Sequence, residues 1–258
     1  MPLASNHPLV RRSTGSGEHN AVFIVASGPS ARDFPIERFA KVPMITMNGA
    51  ISMFARTSIR PFCYACTDKD FPRQQPQLFN EAVQRSQRLA VWDELLDDLP
   101  ALSADKVLPL KKAGPPSLLR TLLRRERNLV RSGAFWSRRA RSLGFSKDLS
   151  QGFFDARTVA YLALQIAYHS GFRKVFLVGV DLDQSAGRFY EASPNDPANS
   201  PCGLDQHFQR RILPSLQIMA DKVVGEDFAV YNLSPRSRIP ERVIPKVSLA
   251  QVEGMLNA

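Results

Sequence analysis

The chain has 258 residues, 44% hydrophobic and 22% charged, which suits one large α/β domain with a sizeable core. Its three cysteines are too few for a disulfide framework, which points to a reduced, cytoplasmic protein. The net charge of +10 is one local block: residues 111–147 hold eleven of the 34 Lys/Arg and one of the 24 Asp/Glu, leaving 23 of each sign elsewhere. A generally basic protein is thereby excluded, and one anionic partner surface is expected.

Residues 1–19 are polar and read as a flexible tail. Arg11-Arg12 precedes no apolar stretch, so no signal peptide is expected. The GSG at 15–17 lies before the first strand, not after it, and is no dinucleotide fingerprint. Short β-branched or aromatic runs follow at 21–26, 43–47, 62–66, 89–92, 174–180 and 228–233. Between them lie helical patterns near 35–41, 49–55, 77–87, 118–131, 156–170, 206–224 and 247–257. The alternation predicts a single Rossmann-like, doubly wound, mostly parallel sheet over 20–258 with helices on both faces. Ligands of such sheets bind at the carboxyl ends of the strands. Those exits read Ser27-Gly28-Pro29-Ser30, Asn48-Gly49, Thr67-Asp68, Gly179-Val180-Asp181 and Ser234-Pro235-Arg236-Ser237. Together they offer backbone N–H groups, hydroxyls and carboxylates around one nucleotide. Cys63-x-x-Cys66 stands without a second pair and reads as two half-buried strand residues.

Residues 94–150 interrupt the rhythm and are expected to be a basic helical insertion or lid, with 100–116 linker-like. From about 117, "PSLLRTLLRRERNLVR" reads as a helix with Arg120, Arg124, Arg127 and Arg131 on one face. Such a face contacts phosphates or an anionic membrane, or is merely solvated. No recognition module supports nucleic acid. The longest apolar helical stretch, Thr158 to Tyr168, falls short of the roughly 20 residues of a membrane span.

"VFIVASGPSARDF", "MITMNGA", "GFFDARTVAYLALQIAYHSGFRKVFLVGVDLD" and "YNLSPRS", in that order, resemble bacterial glycosyltransferases that use CMP-activated ulosonic acids. These are the family 42 sialyltransferases and the lipopolysaccharide-core Kdo transferases. The resemblance covers residues 20–72 and 150–240 and implies a variant of the GT-A fold. It implies that Ser27, Gly28, Pro29 and Ser30 approach the nucleotide and that Asn48 contacts the donor, with Thr67 or Asp68 nearby. It places Gly152, Arg157 and Thr158 on the donor at a helix start, Gly179 at the nucleotide, Asp181 at the ribose, and Ser234, Arg236 and Ser237 around the cytosine. His207 falls at the place of the family's catalytic histidine, the general base that takes a proton from the acceptor hydroxyl. His169 ends a helix and reads as a capping residue.

Tyr190 matches one of two tyrosines that stabilise the leaving phosphate in the sialyltransferases. The other position falls on Asp183, a departure with two readings: Arg188 replaces the missing tyrosine, or Asp183 faces the acceptor or a metal. The resemblance implies no required metal, although Asp181 and Asp183 form a D-x-D pair that keeps one open. It implies a CMP-sugar donor, an anionic lipid-linked glycan acceptor such as the lipopolysaccharide core, and a cytoplasmic enzyme peripheral at the inner membrane. Two other readings stay open. One is a pterin diphosphokinase-like enzyme using ATP and Mg²⁺, with a similar GPS-type opening. The other is a non-catalytic nucleotide- or membrane-binding module.

Overall fold

The computed structural model describes residues 20–95, 106–115, 128–132, 141–191 and 203–257. Strand β1 (Ala21–Val25) is apolar throughout because both its faces are covered. Around it the chain adds β2 (Met44–Met47), β3 (Cys63–Ala65), helices α1 (Phe71–Gln74) and α2 (Pro76–Arg85), β4 (Leu89–Trp92) and β5 (Val107–Leu110). There follow β6 (Leu129–Arg131), β7 (Gly144–Ser146), α3 (Val159–His169) and β8 (Lys174–Val178). Helix α4 (Leu204–His207) runs through a π-helical stretch, Phe208–Ile212, into α5 (Leu213–Lys222). The chain then forms β9 (Ala229–Asn232) and α6 (Leu249–Asn257).

Seven strands form one parallel sheet in the order β5-β4-β3-β2-β1-β8-β9. The Rossmann-like, doubly wound α/β reading is therefore correct. The period of two sorts side chains between two cores. Val22, Ile24, Val175 and Leu177 face α3 and α5, while Phe23, Val25, Phe176 and Val178 face α2 and α6. Helix α3 is apolar nearly all round and is buried accordingly.

Three expectations need correcting. First, the linker-like stretch contains β5, paired in parallel with β4 from Leu89–Val107 to Trp92–Leu110. Pro109 disguised it; β5 is the sheet edge, where a missing N–H breaks no ladder. Second, the basic helix does not reach residue 131. Leu129–Arg131 is a strand antiparallel to β7, with Val130 opposite Phe145, a cross-strand pair that outweighs the helical spacing of the arginines. Third, the patterns at 35–41 and 49–55 close as 3₁₀ turns, Ile36–Phe39 and Asn48–Phe54. The tail 1–19, Arg120, Arg124 and Arg127 lie outside the described residues.

Candidate active site at the strand-order switch

Strand order reverses between β1, whose next neighbours in sequence lie on one side, and β8, which adds on the other. A cleft of about 540 Å³ opens at the carboxyl ends of these strands. Of the expected donor residues, Ser27, Gly28, Asn48, Asp68, Arg157, Thr158, Gly179, Asp181 and Arg188 line it. Asp183 lines it as well.

The loop after β1 is held against β8 from within. The Gly28 N–H donates to Gly179 O at 2.9 Å. Asp181 is 6% exposed, and its carboxylate accepts from the Ser30 N–H at 2.9 Å and the Ser30 hydroxyl at 2.6 Å. Ser234 Oγ lies 2.9 Å from Ser30 Oγ and accepts from the Val180 N–H. The Ser237 hydroxyl donates to Val180 O at 2.6 Å. Ser30, Ser234 and Ser237 thus orient Asp181 and its strand and stand behind the cleft rather than on its surface. Gly28 has no room for a side chain: a Cβ there would lie 2.4 Å from Asp181 Oδ2 and 2.5 Å from Gly179 O.

Backbone strain collects here. Asn48 (φ +43°), Arg157 (φ +64°) and Leu182 (φ +56°) are the non-glycine residues of positive φ among the described residues, and all three line the cleft. Each such conformation costs on the order of 1 kcal/mol, which surrounding packing must offset. Asn48 Oδ1 is buried without a hydrogen-bond partner among the described residues, an acceptor that a donor group of a ligand would satisfy. The start of α3 adds N–H groups: Thr158 caps it without a side-chain hydrogen bond, and Val159 and Ala160 line the cleft.

Tyr190 is set back. Its ring covers Gly49, where a Cβ would fall 2.2 Å from ring carbons. Burial pushes its hydroxyl up to about 12 against the Arg188 charge, with Glu191 and Asp68 adding to the rise. The phenol is therefore a hydrogen-bond donor at any working pH. Arg188 is ion-paired with Glu191, and the Phe189 N–H donates to Ser27 O, which docks this loop on the first. Asp183 accepts from Ser185, which holds its carboxyl below the usual range. Among the described residues no three His, Cys, Asp or Glu converge to hold a metal ion.

His207 ends α4, half-buried, beside the cleft-lining Gly203; a Cβ at Gly203 would lie 3.5 Å from its ring. Gly152 is placed elsewhere. A Cβ there would meet Ala113 at 2.7 Å, so its glycine serves the pairing of residues 111–113 with Phe153. Thr67 accepts from the Trp92 indole through its carbonyl, Pro29 starts a 3₁₀ turn, and Arg236 is exposed on the last loop. Cys63 and Cys66 are buried, and burial pushes both thiols up to about 12, as structural residues require. His169 accepts the Leu149 N–H at the end of α3.

A family model described as 3-deoxy-D-manno-octulosonic acid transferase WaaZ matches residues 9–250. The chain belongs to the WaaZ family. A probable 3-deoxy-manno-octulosonic acid transferase of Escherichia coli (strain K12) is 30% identical to it, over 90% of this chain and 83% of that protein. One of Salmonella typhimurium (strain LT2) is 27% identical, over 89% and 87%. In this WaaZ-family chain three contributors escaped the sequence reading. Leu182 lines the cleft in a left-handed conformation that a leucine does not announce. Glu191 pairs with Arg188 at a spacing of three that was legible. Arg238, not Arg236, ties the last loop to the site: its N–H donates to Asp181 O, it pairs with Asp205 and its guanidinium lies 4.2 Å from the Phe208 ring.

Proposed function

We propose that this chain is an inverting glycosyltransferase that moves Kdo, or a related ulosonic acid, from its CMP-activated form to a lipopolysaccharide-core glycan. Both relatives carry the name of a probable 3-deoxy-manno-octulosonic acid transferase. The observation that carries the reading to a nucleotide-activated donor is the cleft at the strand-order switch, with Asp181 held by Ser30 and the Asn48 amide oxygen left to a ligand. Asp181 would receive the ribose hydroxyls, the loop at Ser27–Gly28 would wall the nucleotide, and Ser234 and Ser237 would steady that wall from behind. Arg157, the N–H groups of α3 and Arg188, steadied by Tyr190, would meet the phosphate, with no metal required. His207 would take the proton of the acceptor hydroxyl. That oxygen then bonds to the anomeric carbon, and the carbon–oxygen bond to CMP breaks with its electron pair on the phosphate.

No helix among the described residues is long and apolar enough to cross a membrane. We place the enzyme in the cytoplasm, peripheral at the inner membrane. Arg120, Arg124 and Arg127 would contact anionic lipid. Reversing these three to Glu is expected to reduce pelleting with phosphatidylglycerol vesicles, and unchanged pelleting removes the membrane role.

The main test offers CMP-Kdo, CMP-sialic acid and ATP, each with and without EDTA, and follows nucleotide release. Release of CMP insensitive to EDTA is expected, with kcat lowered about 10²- to 10⁴-fold in His207→Ala and CMP binding retained. Turnover of ATP to AMP would favour the pterin diphosphokinase-like alternative. No turnover of any donor, with CMP bound equally by wild type and His207→Ala, would make the chain a binding module.

A further inference from the structure

A second cavity, of about 430 Å³, opens on the α3–α5 side of the sheet. Its lining brings four cations, Lys112, Arg131, Arg141 and Arg211, around one carboxylate, Asp155, over Phe153 and Phe154. They come from four separate stretches: the end of β5, the end of β6, the approach to β7, and the π-helical stretch before α5. Like charges so gathered repel one another, so the fold holds them together at a cost.

Three of the four are held in place by contacts of their own. Arg131 lies 5.1 Å from the Phe154 ring and donates to Gly114 O at 2.9 Å. Arg211 Nε donates to Asp155 O at 2.8 Å, and Lys112 Nζ lies 2.9 Å from Asp155 Oδ2. These contacts orient the Arg131 and Arg211 guanidiniums at the cavity wall.

The cavity adjoins the first cleft. The other oxygen of the same carboxylate, Asp155 Oδ1, accepts the N–H of Arg157, a lining residue of the cleft, at 2.8 Å. Arg211 follows His207 by four residues, one turn further along the same helical run.

We propose that this cavity is the acceptor subsite, binding an anionic substituent, phosphate or carboxylate, of the acceptor glycan. The assignment rests on the glycosyltransferase reading above. Guanidinium forks match these planar or tetrahedral anions two bonds at a time. An anion anchored there leaves the neighbouring residue of the glycan at the edge of the donor cleft, beside His207.

Isothermal titration of the full chain tests this without catalysis. The probe is the oligosaccharide released from lipopolysaccharide by mild acid, compared with the same sample dephosphorylated and with its carboxyl groups reduced. CMP is titrated separately. Arg131→Gln/Arg141→Gln is expected to weaken oligosaccharide binding at least tenfold while CMP affinity and the thermal midpoint stay unchanged. Removal of phosphate or of carboxylate from the probe is expected to reproduce that loss on wild type. Equal oligosaccharide binding by wild type and double variant overturns the subsite, even where CMP binds and turns over. So does indifference to both chemical treatments. Displacement of the oligosaccharide by phosphatidylglycerol vesicles from wild type would assign the cavity to a lipid headgroup and overturn the glycan assignment. Failure of CMP to bind, with the oligosaccharide result intact, would count against the donor reading alone.

Discussion

The two cavities meet at Asp155–Arg157, yet their linings are built on different physics. The cleft at the strand switch is made of strand exits, glycines and left-handed residues, and its groups are fixed by short hydrogen bonds such as Ser30 to Asp181 at 2.6 Å. The second cavity is made of long cationic side chains on an aromatic floor. Position is set by backbone in the first and by charge in the second. A substitution in the cleft therefore acts through sterics and strain, and one in the second cavity through electrostatics that salt screens.

The largest expected effect removes what the two share. Gln165, fully buried in α3, accepts the N–H groups of Ser146 and Phe154 and donates to Phe154 O and Tyr161 O. It fixes the segment that carries Phe153, Phe154 and Asp155. Gln165→Leu leaves two buried N–H groups and a carbonyl unpaired, and is expected to cost about 3–4 kcal/mol. Urea unfolding measures this, and titration should show both CMP and oligosaccharide binding weakened. A loss below about 1 kcal/mol would mean that the common wall is held by other contacts.

Gly28→Ala breaks the comparison on one side only. The new methyl meets the Asp181 carboxylate and Gly179 O, neither of which is a free end of a flexible chain. A cost of about 2–3 kcal/mol is expected, with CMP affinity down more than tenfold. Oligosaccharide binding should stay within about twofold. Equal loss of both ligands would show that the cavities are one site.

How much of this the sequence disclosed follows the same division. Ser27-Gly28, Asn48 and Gly179-Val180-Asp181 were legible because apolar strands end abruptly in residues that only a turn or a ligand needs. The sheet followed from the strand–helix alternation. The second cavity was invisible as a site. Its arginines lie up to 80 positions apart, and Arg131 was read on a helix face when it ends β6. Local spacing cannot report a pairing made across the chain, and Pro109 concealed the strand that brings Lys112 to Asp155. Which serines face a ligand and which hold Asp181 was likewise a matter of tertiary geometry.

The smallest effect sharpens the boundary itself. Burial works to raise the Asp155 carboxyl, but the Lys112 ammonium, the Arg157 N–H and the more distant Arg211 together hold it below the usual carboxylate range. A folded-state value below the unfolded one means that the fold favours the charged form. The stability from that difference is fully present above the unfolded value, about 3.9, and is lost as pH falls through the folded value. Asp148, also held low by Ser150 and Gln151 against its burial, loses its share in the same window. Asp155→Asn removes only the Asp155 share. Wild type should exceed the variant by about 1 kcal/mol or less from pH 7 down to 5, and the gap should close towards pH 3. Urea unfolding of both proteins at pH 7, 5, 4 and 3 reads the gap directly. A gap that stays constant to pH 3 would mean that the ionisation of Asp155 contributes nothing to stability.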